Sequence, residues 1–295
     1  MRAVGAVVCD RGMTIELAMP DVDGLREVVG VLREWQHEGA PMQLHPGDLG
    51  WFWRFGADAT AAAVRTWSRD GRLLAIGLLD GATLLRMTTA PDAMRDEELA
   101  RQVVADLNQP SLGALVAVEA PQGALVKDLL AEDGWKPGEL RAPLSRDLTA
   151  PVREPGLRIE TIGPEQAQVR VAMQRASFDR STFTDERWHA MAGGAYSDAR
   201  CLVGYDDQGS AVAAVTVWSA GPGRPGLLEP MGVHREHRGR GHGRAITLAA
   251  AAALRELGSS SATVCTASDN FAAVATYISA GFDPLPENPD FCRNA

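Results

Sequence analysis

Apolar side chains recur along this 295-residue chain in two periods, and the switches between them outline its elements. Residues 157–162 alternate apolar and polar, as on a half-buried strand. Residues 165–177 and 184–192 carry helical spacing, the second opening on a Thr-Asp-Glu cap signal. Residues 201–205, the turn Asp206-Asp207-Gln208-Gly209 and residues 211–218 read as a hairpin. A strand over 227–233, an alanine-rich helix over 241–257, a strand over 262–266 and a helix over 270–280 complete this half. The resulting order is β-α-α-β-β-β-α-β-α.

The same order can be laid over the first half. Residues 64–67 and 73–79 form a hairpin around Ser68-Arg69-Asp70-Gly71-Arg72, followed by a strand at 84–88 and a helix at 96–107. A strand at 115–118 and a helix at 125–132, ending at Gly134-Trp135, close the unit. Between the halves, residues 146–156 hold two prolines and a glycine and read as a linker. The spacing predicts a tandem repeat divided into residues 1–150 and 151–295.

Composition narrows the class. A net charge of −9 disfavours a nucleic-acid partner, because phosphate backbones select basic faces. No stretch approaches the roughly 20 uncharged residues of a membrane helix, so no membrane partner is expected. Met1–Asp10 is too short and too soon interrupted for a secretory signal, and is expected to be a frayed leader. Cys9, Cys201, Cys265 and Cys292 lie far apart, which argues against a disulfide framework and favours a reducing, cytoplasmic setting.

The arginines cluster where the strand at 227–233 meets the next helix: Arg235, Arg238, Arg240 and Arg244, with Gly239, Gly241 and Gly243 between them. Glycine lets a backbone approach a phosphate closely. The first turn of a helix presents unpaired N–H groups and the positive dipole end, and anions bind there. His234, His237 and His242 share this basic turn, which would repel a cation, so no metal site is expected. His189 is expected on the exposed face of its helix.

The Arg238-x-x-Gly241-x-Gly243 turn resembles motif A of the GNAT superfamily, the acetyl-CoA-dependent N-acetyltransferases. Asn270-x-x-Ala273-x-x-x-Tyr277, followed by Gly281-Phe282, resembles motif B. The resemblance implies an α/β (α+β mixed) fold of two tandem GNAT-like domains, each a mixed, mostly antiparallel sheet flanked by helices. It implies acetyl-CoA as cosubstrate, with Met231, Gly232 and Val233 offering backbone to the pantetheine arm. Arg238, Gly239, Arg240, Gly241, His242, Gly243 and Arg244 would cradle the pyrophosphate, and Asn270 would also contact the cofactor. Tyr277 takes the place of the general acid and Glu229 that of a base. One departure is Arg235, where many relatives have proline; it should alter the stiffness of the turn.

The first half reads as degenerate. Its cradle would be Arg95-Asp96-Glu97-Glu98-Leu99-Ala100, and Leu130 falls where Tyr277 stands. At ~4 Å and an effective dielectric near 20, each like-charge pair costs about 4 kcal/mol, so these carboxylates should repel a pyrophosphate.

A lysine-like amine costs about 4–5 kcal/mol to deprotonate at pH 7, which makes a positioned base worthwhile. With an ordinary carboxyl at Glu229, Glu229→Gln should depress the rate most below neutral pH. No cysteine falls at the cofactor motif, so the amine of a small molecule or peptide is expected to attack the thioester directly. Asp179, in the loop 178–183, could pair with that amine. The aromatic run Trp51–Phe55 is either a contact between the halves or a wall of the acceptor cleft. Two other readings stay open: a non-catalytic acyl-CoA-binding or partner-binding module, and a two-domain synthase acetylating a sugar-thiol precursor. The sequence leaves homodimerisation open.

Overall fold

The computed structural model describes residues 14–109, 112, 113, 115–194 and 198–293; Met1–Asp10, with Cys9, lies outside them. The first half runs β1 (Glu16–Ala18), α1 (Leu25–Trp35), α2 (Pro46–Phe52), α3 (Ala57–Ala63), β2 (Val64–Arg69), β3 (Arg72–Leu79) and β4 (Leu84–Thr89). It continues through α4 (Glu97–Leu107), β5 (Ala117–Glu119), α5 (Leu125–Glu132) and β6 (Lys136–Asp147). The second half runs β7 (Arg158–Thr161), α6 (Ala167–Ser177), α7 (Asp185–Ala192), β8 (Ala199–Tyr205), β9 (Ala211–Ser219) and β10 (Gly226–Val233). Then come α8 (His242–Glu256), β11 (Ser261–Ala267), α9 (Phe271–Ser279), β12 (Asp283–Pro284) and β13 (Asn288–Cys292).

Local chemistry explains the main elements. The β2–β3 hairpin closes on Asp70-Gly71, both at positive φ, a pairing suited to a tight two-residue turn. The α1 helix buries Leu25, Val28, Val29, Leu32 and Trp35 at helical spacing. The α8 helix buries a run of alanines, Ala249, Ala250, Ala251 and Ala253, whose small side chains let it lie close on the sheet.

The strands form one mixed, mostly antiparallel sheet flanked by helices, in the order β1-β2-β3-β4-β5-β13-β6-β11-β10-β9-β8-β7, with β12 beside β6. Among the described residues, only β4–β5 and β10–β11 pair in parallel. The β6 strand extends into the expected linker as far as Asp147 and pairs with β11 from Arg141↔Ala267 to Asp147↔Ser261. In exchange, β13 inserts between β5 and β6. The covalent junction near residue 150 is therefore no break in the sheet. One apolar core likewise draws Trp67, Leu85 and Trp53 from the first half together with Phe183, Trp188 and Trp218 from the second.

The α2 segment docks on the second half. Its N-cap His45 contacts the carbonyl oxygen of Pro225 through Nε2 (3.1 Å) and accepts at Nδ1 from the Gly47 N–H (2.9 Å). A Cβ at Gly47 would lie 2.5 Å from the Trp218 Cβ, so glycine is what allows α2 to reach β9. Burial, opposed by Asp48 and the Pro225 bond, lowers the His45 pKa to about 4. The unfolded chain, titrating near 6.5, binds this proton more readily. Stability from neutral His45 is thus fully present above pH 6.5 and lost as pH falls through about 4, a loss of about 3 kcal/mol. Urea unfolding across this window should show that acid limb in the wild type. His45→Gln should be less stable at pH 8 and show a shallower limb; an unchanged slope would remove His45 as its source.

Candidate active site

Strand β10 is irregular where it matters. It pairs with β11 only at Gly226↔Ala262 and Leu227↔Thr263, although both strands run on. On its other edge the register with β9 shifts between Leu228 and Met231. Within this bulge the Glu229 carbonyl oxygen accepts from the Trp218 indole N–H at 2.6 Å. Glu229 is thereby turned out of the ladder, which is how bulges re-aim side chains. Beyond it, the parted strands open a cleft of about 380 Å³ whose walls include Glu229, Met231, Cys265, Asn270 and Tyr277. In the first half β4 keeps regular register with β3 and pairs with β5 from Leu84↔Ala117 to Arg86↔Glu119.

The cleft leads toward the junction of β10 with α8. Gly239 and Gly241 adopt φ +76° and +83°, and a Cβ at either would meet nothing within 4 Å. Gly241 caps α8 in the left-handed region without a side-chain cap. Among the described residues, no acceptor meets the backbone N–H groups of residues 238–244. This row of open donors at the positive end of a 15-residue helix fits a pyrophosphate.

The flanking arginines are partly structural. Arg238 donates to the Ser177 carbonyl oxygen (2.7 Å) and Arg244 to that of Ser279 (2.9 Å), while Arg240 is exposed. Arg235 donates to the carbonyl oxygens of Arg175 and Ala176, tying the turn to the end of α6 in place of a proline's stiffness. Gly232 and Gly243 serve packing. A Cβ at Gly232 would lie 2.5 Å from that of Ser177, and one at Gly243 would lie 2.9 Å from Thr276 Cγ2. Val233 approaches Gly243 from the strand side. Burial, then His237, lowers the His242 pKa, so this imidazole adds no charge at neutral pH. Among the described residues no group of three or more His, Cys, Asp or Glu could hold a metal ion.

The N-terminal counterpart of this junction is closed. Asp96 caps α4 by accepting from the Leu99 N–H (2.8 Å), and Arg69 clamps both oxygens of Asp96 and one of Glu98. The donor that would greet a phosphate is already used. Leu130 is fully buried.

Glu229 stands in a cluster that sequence reasoning missed. The Arg86 guanidinium of β4 lies 2.9 Å from Asp48, 3.0 Å from Glu119, 3.9 Å from Asp80 and 4.0 Å from Glu229. Arg141 binds the other oxygen of Glu119 at 3.0 Å. Burial works against the Arg86 charge, but the surrounding carboxylates outweigh it and hold its pKa well above the ordinary range. Five carboxylates, with Glu139 on Arg141, face Arg86, Arg141 and the nearby Arg54, and leave excess negative charge. Burial, then Asp48, pushes Glu229 up to about 8 against the pull of Arg86. A lone arginine in the apolar run Leu84-Leu85-Arg86-Met87 was the available signal, since buried charge needs partners.

Tyr277 is 6 % exposed, and burial, with Glu229 and Cys265 nearby, pushes its phenol well above the usual range. Cys265 lies outside the cofactor motif but lines the cleft. Burial, then Glu119, raises its thiol to about 12, so it stays protonated and is no nucleophile at neutral pH. Asn270 borders the cleft, but its Oδ1 caps α9 by accepting from the Ala273 N–H (3.2 Å). Asp179 sits 3.4 Å from Arg235 and is otherwise exposed. Of the aromatic run, Trp51 packs on Phe183 at 5.3 Å between centroids and Trp53 on Gly194; none of residues 51–55 lines the cleft. The run is a contact between the halves. His189 is exposed, as expected.

A bulged strand, a parted parallel pair and an open-donor helix start make up the candidate site. Residues 167–282 match the model of the acetyltransferase (GNAT) family, so the second half carries a GNAT acetyltransferase domain. Members of that family are acyltransferases that generally use acetyl-CoA. The whole chain has the fold of tandem GNAT proteins. A tandem GNAT protein from the clavulanic acid biosynthesis pathway superimposes with TM-score 0.61 at 17 % identity, over 94 % of this chain and 97 % of that one. A GCN5-related N-acetyltransferase from Sphaerobacter thermophilus gives 0.59 at 18 %, over 95 % of each chain. An acetyltransferase from the GNAT family of Colwellia psychrerythraea gives 0.58 at 17 %, over 95 % and 98 %. No curated protein matches the sequence. Among the described residues no helix is long and apolar enough to cross a membrane.

Gly241→Glu would place a carboxylate at the open donors and should weaken coenzyme A binding roughly 100-fold by charge repulsion. Gly241→Asn, which tolerates positive φ, should bind within a few-fold of wild type. Calorimetric titration of both variants, each shown to melt cooperatively, separates charge from backbone strain. Normal affinity in the Glu variant would remove this turn as the site.

Proposed function

We propose that the chain is an acetyl-CoA-dependent N-acetyltransferase that acetylates a primary amine by direct attack on the thioester. On this reading residues 151–295 form the catalytic domain, and residues 1–150 a degenerate GNAT-like domain without a cofactor cradle. The observation that carries it is the meeting of Glu229 and Tyr277 in one cleft, at the end of the strands that lead to the open helix start.

The backbone of Met231–Val233 and the donors of residues 238–244 would hold the cosubstrate. When bound, it supplies an acyl thioester and, on transfer, a thiolate. Glu229 takes one proton from the incoming ammonium and passes it to solvent. With its pKa about 8, roughly a tenth of the carboxyl is ionised at pH 7. The Tyr277 hydroxyl gives a proton to the departing sulfur and is restored by the second proton released from nitrogen. Its raised pKa keeps the phenol protonated throughout the working range. The acidic cluster also favours a cationic acceptor.

The raised pKa moves the expected window for Glu229. The wild-type rate should climb through pH 8 as the carboxylate forms, so Glu229→Gln should lose most activity above that pH, not below neutral. A pH profile of kcat for one amine decides it; superimposable profiles would clear Glu229 of base duty. Tyr277→Phe should keep coenzyme A affinity within about twofold and lose 10²–10³-fold in kcat, within the usual span for a general acid. Thiol release followed with and without excess amine reads this directly, and an unchanged kcat would remove Tyr277 as the acid.

A further inference from the structure

Two more hollows adjoin the cleft. A neck of about 60 Å³ shares Arg86, Glu119, Arg141 and Cys265 with it, and a second chamber of about 390 Å³ shares Gln43, Pro143 and Asn288 with the neck. Met42 borders all three. The hollows are strung along one face of the sheet. On β11, Ser261 and Thr263 line the chamber and Cys265 lines the neck and the cleft. On β6, Ser145 lines the chamber, Pro143 the chamber and neck, and Arg141 the neck and cleft. The register pairs Thr263 with Ser145 and Cys265 with Pro143, so both strands pave the same track. The residues between, Ala262 and Leu144, lie in the core under α8, which Val264 joins while also bordering the cleft.

We propose that this track is the acceptor's path, and that the amine is carried on an elongated, uncharged, hydrogen-bonding stem whose far end lodges in the chamber. The inference rests on the acetyl-transfer reading above. Four residues from Ser261 to Cys265 at strand rise set the length of the stem at about 13 Å. The small neck admits a linear chain and excludes a ring or branch. The polarity of the stem follows from the chamber. Among apolar side chains, its lining includes the Gln122 amide and the Ser145 and Ser261 hydroxyls, while Gln36, Gln43, Thr263 and Asn288 are bonded within the protein. Its buried His45 is neutral, and its carboxylate Glu38 already accepts from Ser260. The Ser261 hydroxyl is buried within a residue of 3 % exposure and has no partner. A buried hydroxyl without a partner costs free energy, which a hydrogen-bonding stem recovers. The carboxylates, by contrast, gather at the cleft end, where the cationic amine belongs.

The test uses ethanolamine and a series of linear oligo(ethylene glycol) amines of increasing length. Turnover is followed as thiol release from acetyl-CoA, and binding by calorimetry without acetyl-CoA. Wild-type kcat/KM and affinity should rise about tenfold once the stem spans the track, a gain worth about 1.4 kcal/mol. Ser145→Leu and, separately, Ser261→Leu should abolish the rise and leave ethanolamine unaffected; Ser145 is half-buried and keeps the test usable if Ser261→Leu fails to fold. Turnover without length dependence would overturn the path and leave the acetyl-transfer reading standing. Length-dependent binding that the chamber variants abolish, without turnover, would support the path and overturn that reading. Absence of both would overturn the path as well.

Discussion

One guanidinium holds the two halves in working order. Arg86 sits on β4, and its carboxylates come from α2, from the turn after β3, from β5 and from β10. Desolvating such a group is tolerable only with its partners in place, and removing one leaves uncompensated buried charge. Burial, reinforced by Asp48 of the same cluster, keeps a proton on Glu229 against the pull of Arg86. Stability and chemistry are thus set by a single charge balance, and the half without a cradle supplies most of it.

The two β-to-α junctions show how one frame diverges into a binding and a non-binding form. At α4 the N-terminal donors meet an aspartate that is itself neutralised by an arginine, a self-satisfied cap. At α8 the same place is glycine, and the donors face outward. The bulge at Glu229 completes the difference, because it parts β10 from β11 while β4 and β5 stay joined. A few residues at each junction separate the forms.

Much of this was legible in the chain. The repeat, the hairpins, the glycines at 239 and 241 and the carboxylates at 96–98 are local signals, and local signals survive in a sequence. Helix α1 has its own helical spacing and was legible but unread; α2 went unread because it serves contacts with distant strands, and Gly47, for one, acquires its meaning only against Trp218. The Arg86 cluster was invisible for the same reason, since its members are spread from residue 48 to residue 229. That Cys265 reaches the cleft was not legible, because strand alternation says only that it shares a face with Thr263, not where that face opens. The proton on Glu229 depends on burial and on Asp48, neither of which is written near residue 229.

The strand exchange has a consequence for how the polypeptide comes to be folded. Ala117 and Val118 of β5 wait for Cys292 and Phe291, more than 170 residues later. Until β13 arrives, β5 and β6 each present a raw edge, the kind that recruits other chains. The first half cannot be finished on the ribosome while the second is still being made. Assembly is therefore dominated by late, long-range closure, which is slow and exposes the nascent chain to aggregation. A chaperone that shields these two edges during synthesis would answer that exposure.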